Sequence, residues 1–152
     1  MSKYRSGFEE RIAKAFGRRK IDFRYEPMTL DYITPPVPAK NHKYTPDFLF
    51  EAEDGHTIYV EAKGRLTVAN RQKMLLVKQH NPELDIRFLF MNARQPLISK
   101  RKRGTKKNGD IYKSTTYGEW AEKNGFPWAQ GNDPATIGRI LAEWKKDVDP
   151  NL

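Results

Sequence analysis

Residues 46–63 read Pro46-Asp47-Phe48-Leu49-Phe50-Glu51-Ala52-Glu53-Asp54-Gly55-His56-Thr57-Ile58-Tyr59-Val60-Glu61-Ala62-Lys63. Two apolar-rich runs flank Asp54-Gly55, a dipeptide suited to a tight turn, and predict a β-hairpin with strands over 44–50 and 56–63. Side chains two apart on a strand share a face. Ile58, Val60 and Ala62 therefore face the core, and Thr57, Tyr59, Glu61 and Lys63 face the other side. Loop length decides whether Asp47 joins Glu61. A two-residue loop pairs residue 53 with 56 and sets Asp47 opposite Ala62. A three-residue loop pairs 52 with 56 and sets Asp47 opposite Glu61, on the same face. Three-residue loops place a glycine in the left-handed conformation at their last position, where Gly55 stands, so the three-residue loop is predicted.

Two carboxylates on one face repel unless a cation lies between them. An all-oxygen donor set suits Mg²⁺ or Mn²⁺. Such an ion would polarise a phosphoryl oxygen and lower the pKa of a bound water. Lys63 would orient that water or neutralise charge developing on the phosphate, and the product is hydrolysis of a phosphodiester. In the simpler reading Asp47 starts a strand after Pro46, and Glu61 and Lys63 form a solvated pair worth under ~1 kcal/mol.

The rest of the chain narrows the choice. It has 152 residues, 28 Lys+Arg against 19 Asp+Glu, and a formal net charge of +9. That fits one domain over residues 1–152, with a polyanionic partner, nucleic acid before an anionic membrane surface. There is no cysteine, which excludes a disulfide scaffold, a zinc-thiolate site and a cysteine nucleophile. No signal peptide and no membrane span is expected.

Phe8, Ile12 and Phe16 predict a first helix capped by Ser6, with Glu9 placed to complete a capping box. Ile21, Phe23 and Tyr25 alternate as a half-buried strand. Residues 34–41 carry three prolines and read as an extended surface loop or a bridge to another subunit. A helix is expected over about 68–79, then a buried central strand over 85–91, completing a right-handed crossover. Thr116 to Glu119 is a second capping box, and Asp133-Pro134 opens a last helix with an Ile137, Ile140, Leu141, Trp144 stripe. Trp120, Trp128 and Trp144 are expected in the core. His42 and His80 are not expected to be ligands.

Residues 96–113 read as a basic, mobile loop. Lys100, Arg101, Lys102, Arg103, Lys106 and Lys107 make six of its eight central residues basic, a candidate nonspecific phosphate-binding surface or a solvated linker. Arg71 and Lys73, at the start of the helix beside the hairpin, and Arg94 are further candidate DNA contacts.

Pro46-Asp47 with Glu61-Ala62-Lys63 matches the PD-(D/E)xK nuclease signature. Residues 6–9, 41–49, 60–64, 82–87 and 116–119 together resemble the phage endonuclease I family, resolvases of four-way (Holliday) junctions in DNA recombination. The resemblance runs in order from about Arg5 to Phe126. It implies an α/β fold of the restriction-endonuclease type, a mixed sheet flanked by helices. It also implies a domain-swapped homodimer bridged near 34–41, acting on branched double-stranded DNA in the cytoplasm of an infected bacterial host. Glu9 would be the fourth catalytic residue beside Asp47, Glu61 and Lys63, supplied by the other chain. Asp47, Glu61, Ala62 and Glu9 would surround the metal. The chain departs from the family in its proline-richer bridge, in Ala69-Asn70 where acidic residues are expected, in a longer basic insertion, and after Trp128. A sequence- or mismatch-specific nuclease and a noncatalytic basic DNA-binding module remain alternatives.

Overall fold

The computed structural model describes residues 3–34 and 40–151. Its elements are α1 (Gly7–Arg18), β1 (Arg24–Tyr25), β2 (Leu30–Thr34), β3 (Lys40–Tyr44), β4 (Phe48–Glu51), β5 (Thr57–Lys63), α2 (Val68–His80), β6 (Asp85–Phe90), α3 (Tyr117–Lys123), β7 (Trp128–Gln130) and α4 (Pro134–Lys145). Five strands form a mixed sheet in the order β1-β4-β5-β6-β7, and β2 and β3 form a separate hairpin. The β1–β4 and β4–β5 pairs are antiparallel. The β5–β6 and β6–β7 pairs are parallel.

The sheet is covered on both faces because its strands carry apolar residues on both. On one face Phe48, Phe50, Ile58, Val60 and Leu89 pack under α1 and α4, against Phe8, Ile12, Phe16, Ile137, Leu141 and Trp144. On the other, Ile86, Phe88 and Phe90 pack with Met74 and Val77 of α2, Tyr117 and Trp120 of α3, and Tyr32 and Tyr44 of the β2–β3 hairpin. A fully buried Phe such as Phe48 or Phe88 contributes about 1.5–3 kcal/mol. Every residue of β6 is buried, as a central strand between two helical layers requires. No helix of the described residues is long and apolar enough to cross a membrane.

The β4–β5 turn has the expected form. Phe48 pairs with Val60 and Glu51 with Thr57, Ala52 N–H bonds to His56 O at 2.9 Å, and Gly55 sits at φ 90°. The predicted caps of α1, α3 and α4 also form, with Ser6, Thr116 and Asp133 accepting from the amides of Glu9, Glu119 and Thr136.

Four expectations are corrected. Residues 44–50 are not one strand: Pro46 interrupts it, so β3 ends at Tyr44 in one sheet and β4 begins at Phe48 in another. The strand near Tyr25 shortens to Arg24–Tyr25, bounded by Lys20 and Glu26 at positive φ. Trp128 lies on β7 and is 37% exposed. Residues 96–116 form a hydrogen-bonded arm rather than an unstructured loop. Its base is held by a Pro96–Thr116 bridge and by Leu97 N–H to Thr115 O at 2.8 Å. A short 3₁₀ turn spans Lys100–Lys102, and a Thr105–Ile111 bridge closes its tip. Of the proline-rich segment 34–41, residues 35–39 lie outside the described residues.

Candidate active site

The β4–β5 ladder stops at Phe48–Val60. One residue beyond it, the register places Asp47 opposite Glu61. The Asp47 backbone turns away to accept the Glu26 amide at 2.9 Å. Its carboxylate Oδ2 accepts the Ala62 N–H at 2.9 Å. The open end of the hairpin thus carries a carboxylate where a further ladder bond would otherwise form.

Glu61 is 5% exposed, because β3 and α2 cover its face of the sheet. Both oxygens are engaged. Lys63 Nζ lies 3.1 Å from Oε1, and the buried Tyr44 hydroxyl donates to Oε2 at 2.6 Å. Lys73, on α2, places its Nζ over the Tyr44 ring at 5.5 Å. One of the sequence-based DNA candidates therefore stands directly behind the carboxylate. Arg71 is only half-buried, and its Nη1 donates to Leu66 O at 3.1 Å, bracing the turn between β5 and α2.

Glu9 reaches the same region from α1. It is buried, and its Oε1 accepts from the Tyr25 hydroxyl at 2.7 Å. Tyr25 pairs with Phe48, the residue after Asp47. Only half of the anticipated capping box forms. Ser6 Oγ accepts the Glu9 amide at 3.1 Å, while the Glu9 carboxylate turns to Tyr25 and the Ser6 hydroxyl. Glu9 is thereby released from capping to face the acidic cluster, within a single chain.

The electrostatics bind the group together. Burial pushes the Asp47 carboxyl up to about 8, and the Glu61 and Glu9 charges push the same way. The Ala62 N–H and Lys63 oppose them. Burial and the Glu61 charge likewise hold the Tyr44 hydroxyl well above its usual range, so it remains a donor. A carboxylate held this far from its ordinary range has a high affinity for positive charge. Among the described residues, no three acidic or imidazole side chains stand as a ready-made metal cage. Two carboxylates with room for water and phosphate oxygens are the usual setting for Mg²⁺, which rarely takes an all-protein cage. Asp47 and Glu61 are the two side chains here that could hold a hard divalent ion, since both offer only oxygen donors.

Arg94 and the basic arm leave the sheet at this same end. Lys63 pairs with Phe90, and the Met91 N–H bonds to Lys63 O at 3.1 Å. Lys100, Arg101, Lys102, Lys106 and Lys107 are exposed on the arm. Tyr44 and Tyr25, the hydroxyls that hold Glu61 and Glu9, carry no local spacing signal. Tyr44 precedes the Pro46 break, and Tyr25 meets Glu9 only once β1 has joined β4.

Comparison with known proteins places the chain in a family. Residues 1–148 match the model of the family described as phage endonuclease I. The chain is 37% identical to Endonuclease I of Escherichia phage T7 over 147 residues, covering 95% of this chain and 83% of that protein. It is 36% identical to Endodeoxyribonuclease 1 of Enterobacteria phage T3 over 145 residues, 95% of this chain and 81% of the relative. With the match running almost end to end, this chain belongs to the phage endonuclease I family.

Proposed function

We propose that the chain is a Mg²⁺-dependent endodeoxyribonuclease that resolves four-way and other branched DNA junctions by phosphodiester hydrolysis. The observation that carries the reading is the meeting of Asp47, Glu61 and Lys63 at one strand end, with Glu9 beside them. A Mg²⁺ or Mn²⁺ ion held by Asp47 and Glu61 would supply Lewis-acid polarisation of a phosphoryl oxygen and a more acidic water. The chain's own residues do the rest. Tyr44 and Lys63 fix the two Glu61 oxygens. The Ala62 amide fixes Asp47. Lys63, as an ammonium, orients the attacking water and offsets charge growing on the phosphate. Hydrolysis joins the water oxygen to phosphorus and breaks one bridging P–O bond.

Lys73, Arg71, Arg94 and the arm surround the site with positive charge that holds the DNA backbone without reading sequence. The active form is a homodimer with swapped halves, acting in the cytoplasm of an infected bacterial host. Residues 35–39 connect β2 to β3, and an exchange of α1, β1 and β2 between copies would place its bridge there. Two sites related by a two-fold axis suit paired cuts in opposing strands.

The test is cleavage of a four-way junction, a matched linear duplex and a mismatched duplex, with and without Mg²⁺. Selective, Mg²⁺-dependent cutting of the junction is expected. Equal cutting of the linear duplex would refute junction selectivity. Binding without any cutting would point to a noncatalytic DNA-binding module.

A further inference from the structure

The arm over residues 96–116 has a composition that phosphate binding alone does not explain. It holds seven Lys or Arg and one acidic residue, Asp110. It also exposes three large apolar side chains, Ile98 at 49%, Ile111 at 39% and Tyr112 at 53%. Tyr112 is held firmly at its backbone. Its N–H donates to Gly104 O at 3.0 Å, and its carbonyl accepts from Arg103 Nη1 at 3.3 Å. The ring lies close to Gly104, where an added Cβ would be 3.5 Å away. Lys106 Nζ stands over the ring at 5.8 Å. The Nε of Arg103 is enclosed with no acceptor, the one such side-chain atom among the described residues. An exposed aromatic ring fixed at its backbone amid cations is the kind of surface on which nucleobases stack.

We infer that Tyr112 stacks on unpaired DNA bases, so the arm favours DNA in which pairing is interrupted beside the cleavage site. This rests on the reading of the chain as a DNA endonuclease and adds a ligand class, the exposed nucleobase, to a surface otherwise suited to phosphate. A second copy of this chain is the poorer occupant, since it brings the same excess of positive charge to an already basic patch. The arm leaves the sheet beside Lys63, so its base lies at the catalytic end of the fold.

The test measures binding in EDTA, where no cleavage occurs. The probes are a fully paired duplex and the same duplex with a short single-stranded gap carrying a fluorescent adenine analogue. Tyr112→Ala and Tyr112→Leu should weaken binding to the gapped probe by about 5- to 150-fold. Binding to the paired duplex and its salt dependence should not change, since no phosphate contact is lost. Tyr112→Phe should retain both the affinity and the fluorescence quenching. The leucine variant keeps an apolar contact with the arm, so arm unfolding is separated from loss of the aromatic face. Equal loss on both probes, no loss on either, or a change in oligomeric state instead would overturn the inference. Failure of the wild type to cut DNA with Mg²⁺ would count against the endonuclease reading alone.

Discussion

The Tyr44 hydroxyl donates to Glu61 Oε2 at 2.6 Å across the gap between two separate sheets. A fully buried residue of the β2–β3 hairpin therefore orients a carboxylate at the end of β5. Tyr44→Phe leaves that oxygen without its donor but keeps the ring and its packing. Removing a group that orients a ligand typically costs about 10–100-fold in metal affinity or activity. The expected result is a higher Mg²⁺ requirement and slower cleavage, with DNA binding in EDTA unchanged. A Mg²⁺ titration of cleavage rate measures it.

Asp47 should destabilise the fold while serving the site. Its carboxyl is raised from 3.8 to about 8 by burial and by Glu61 and Glu9. The folded state thus binds more protons than the unfolded state between those values, and stability falls as pH rises through that window. Asp47→Asn should raise the melting temperature in EDTA at pH 8, by about 2–4 °C for each kcal/mol recovered. The gain should vanish near pH 4, where the wild-type carboxyl is protonated. Mg²⁺ should stabilise the wild type and not the variant, and the variant should not cleave.

His56 forms a clamp at the opposite end of β5. Nδ1 bonds Asp54, and Nε2 lies 2.9 Å from Asp85 Oδ2. Asp54 also accepts the Asp149 amide at 2.8 Å, tying the residues after α4 to the β4–β5 turn. Burial alone would lower the His56 pKa, but the two carboxylates raise it above 6.5. A raised folded pKa gives stability that is complete below 6.5 and lost as pH climbs through the higher value. His56→Gln should therefore cost more stability at pH 6 than at pH 9. Denaturant midpoints at the two pH values check this.

Gly55 fixes the register on which the site depends. Its φ of 90° is a conformation that a side chain disfavours. Gly55→Ala should destabilise the protein by about 1 kcal/mol, and Gly55→Asn by less, because asparagine tolerates that region better. The midpoint of urea unfolding reads the difference.

Much of this architecture is legible locally. Asp54-Gly55 announces the turn, and loop length then places Asp47 against Glu61 by counting alone. Ser6, Thr116 and Asp133 mark helix starts because capping is a short-range hydrogen bond. What escapes is long-range. The β2–β3 hairpin escapes because β3 (Lys40–Tyr44) is polar up to Tyr44 and shows no alternation, and the three-residue β7 is too short for periodicity to register. The break at Pro46 depends on Tyr44 finding α2 rather than the main sheet. Tyr25 and Tyr44 become carboxylate donors only through contacts 16 and 17 residues away in sequence. The arm misleads in a different way. Its glycines and charges suggest an unstructured loop, yet backbone bonds such as Tyr112 N–H to Gly104 O order it.

The most direct test of the account compares the wild type with Glu61→Ala and Lys63→Ala on one four-way junction, measuring binding in EDTA and cleavage after Mg²⁺ is added. The account predicts that both variants bind the junction about as tightly as the wild type and cut it at no measurable rate. Persistent Mg²⁺-dependent cleavage by either variant would contradict the assignment of the active site.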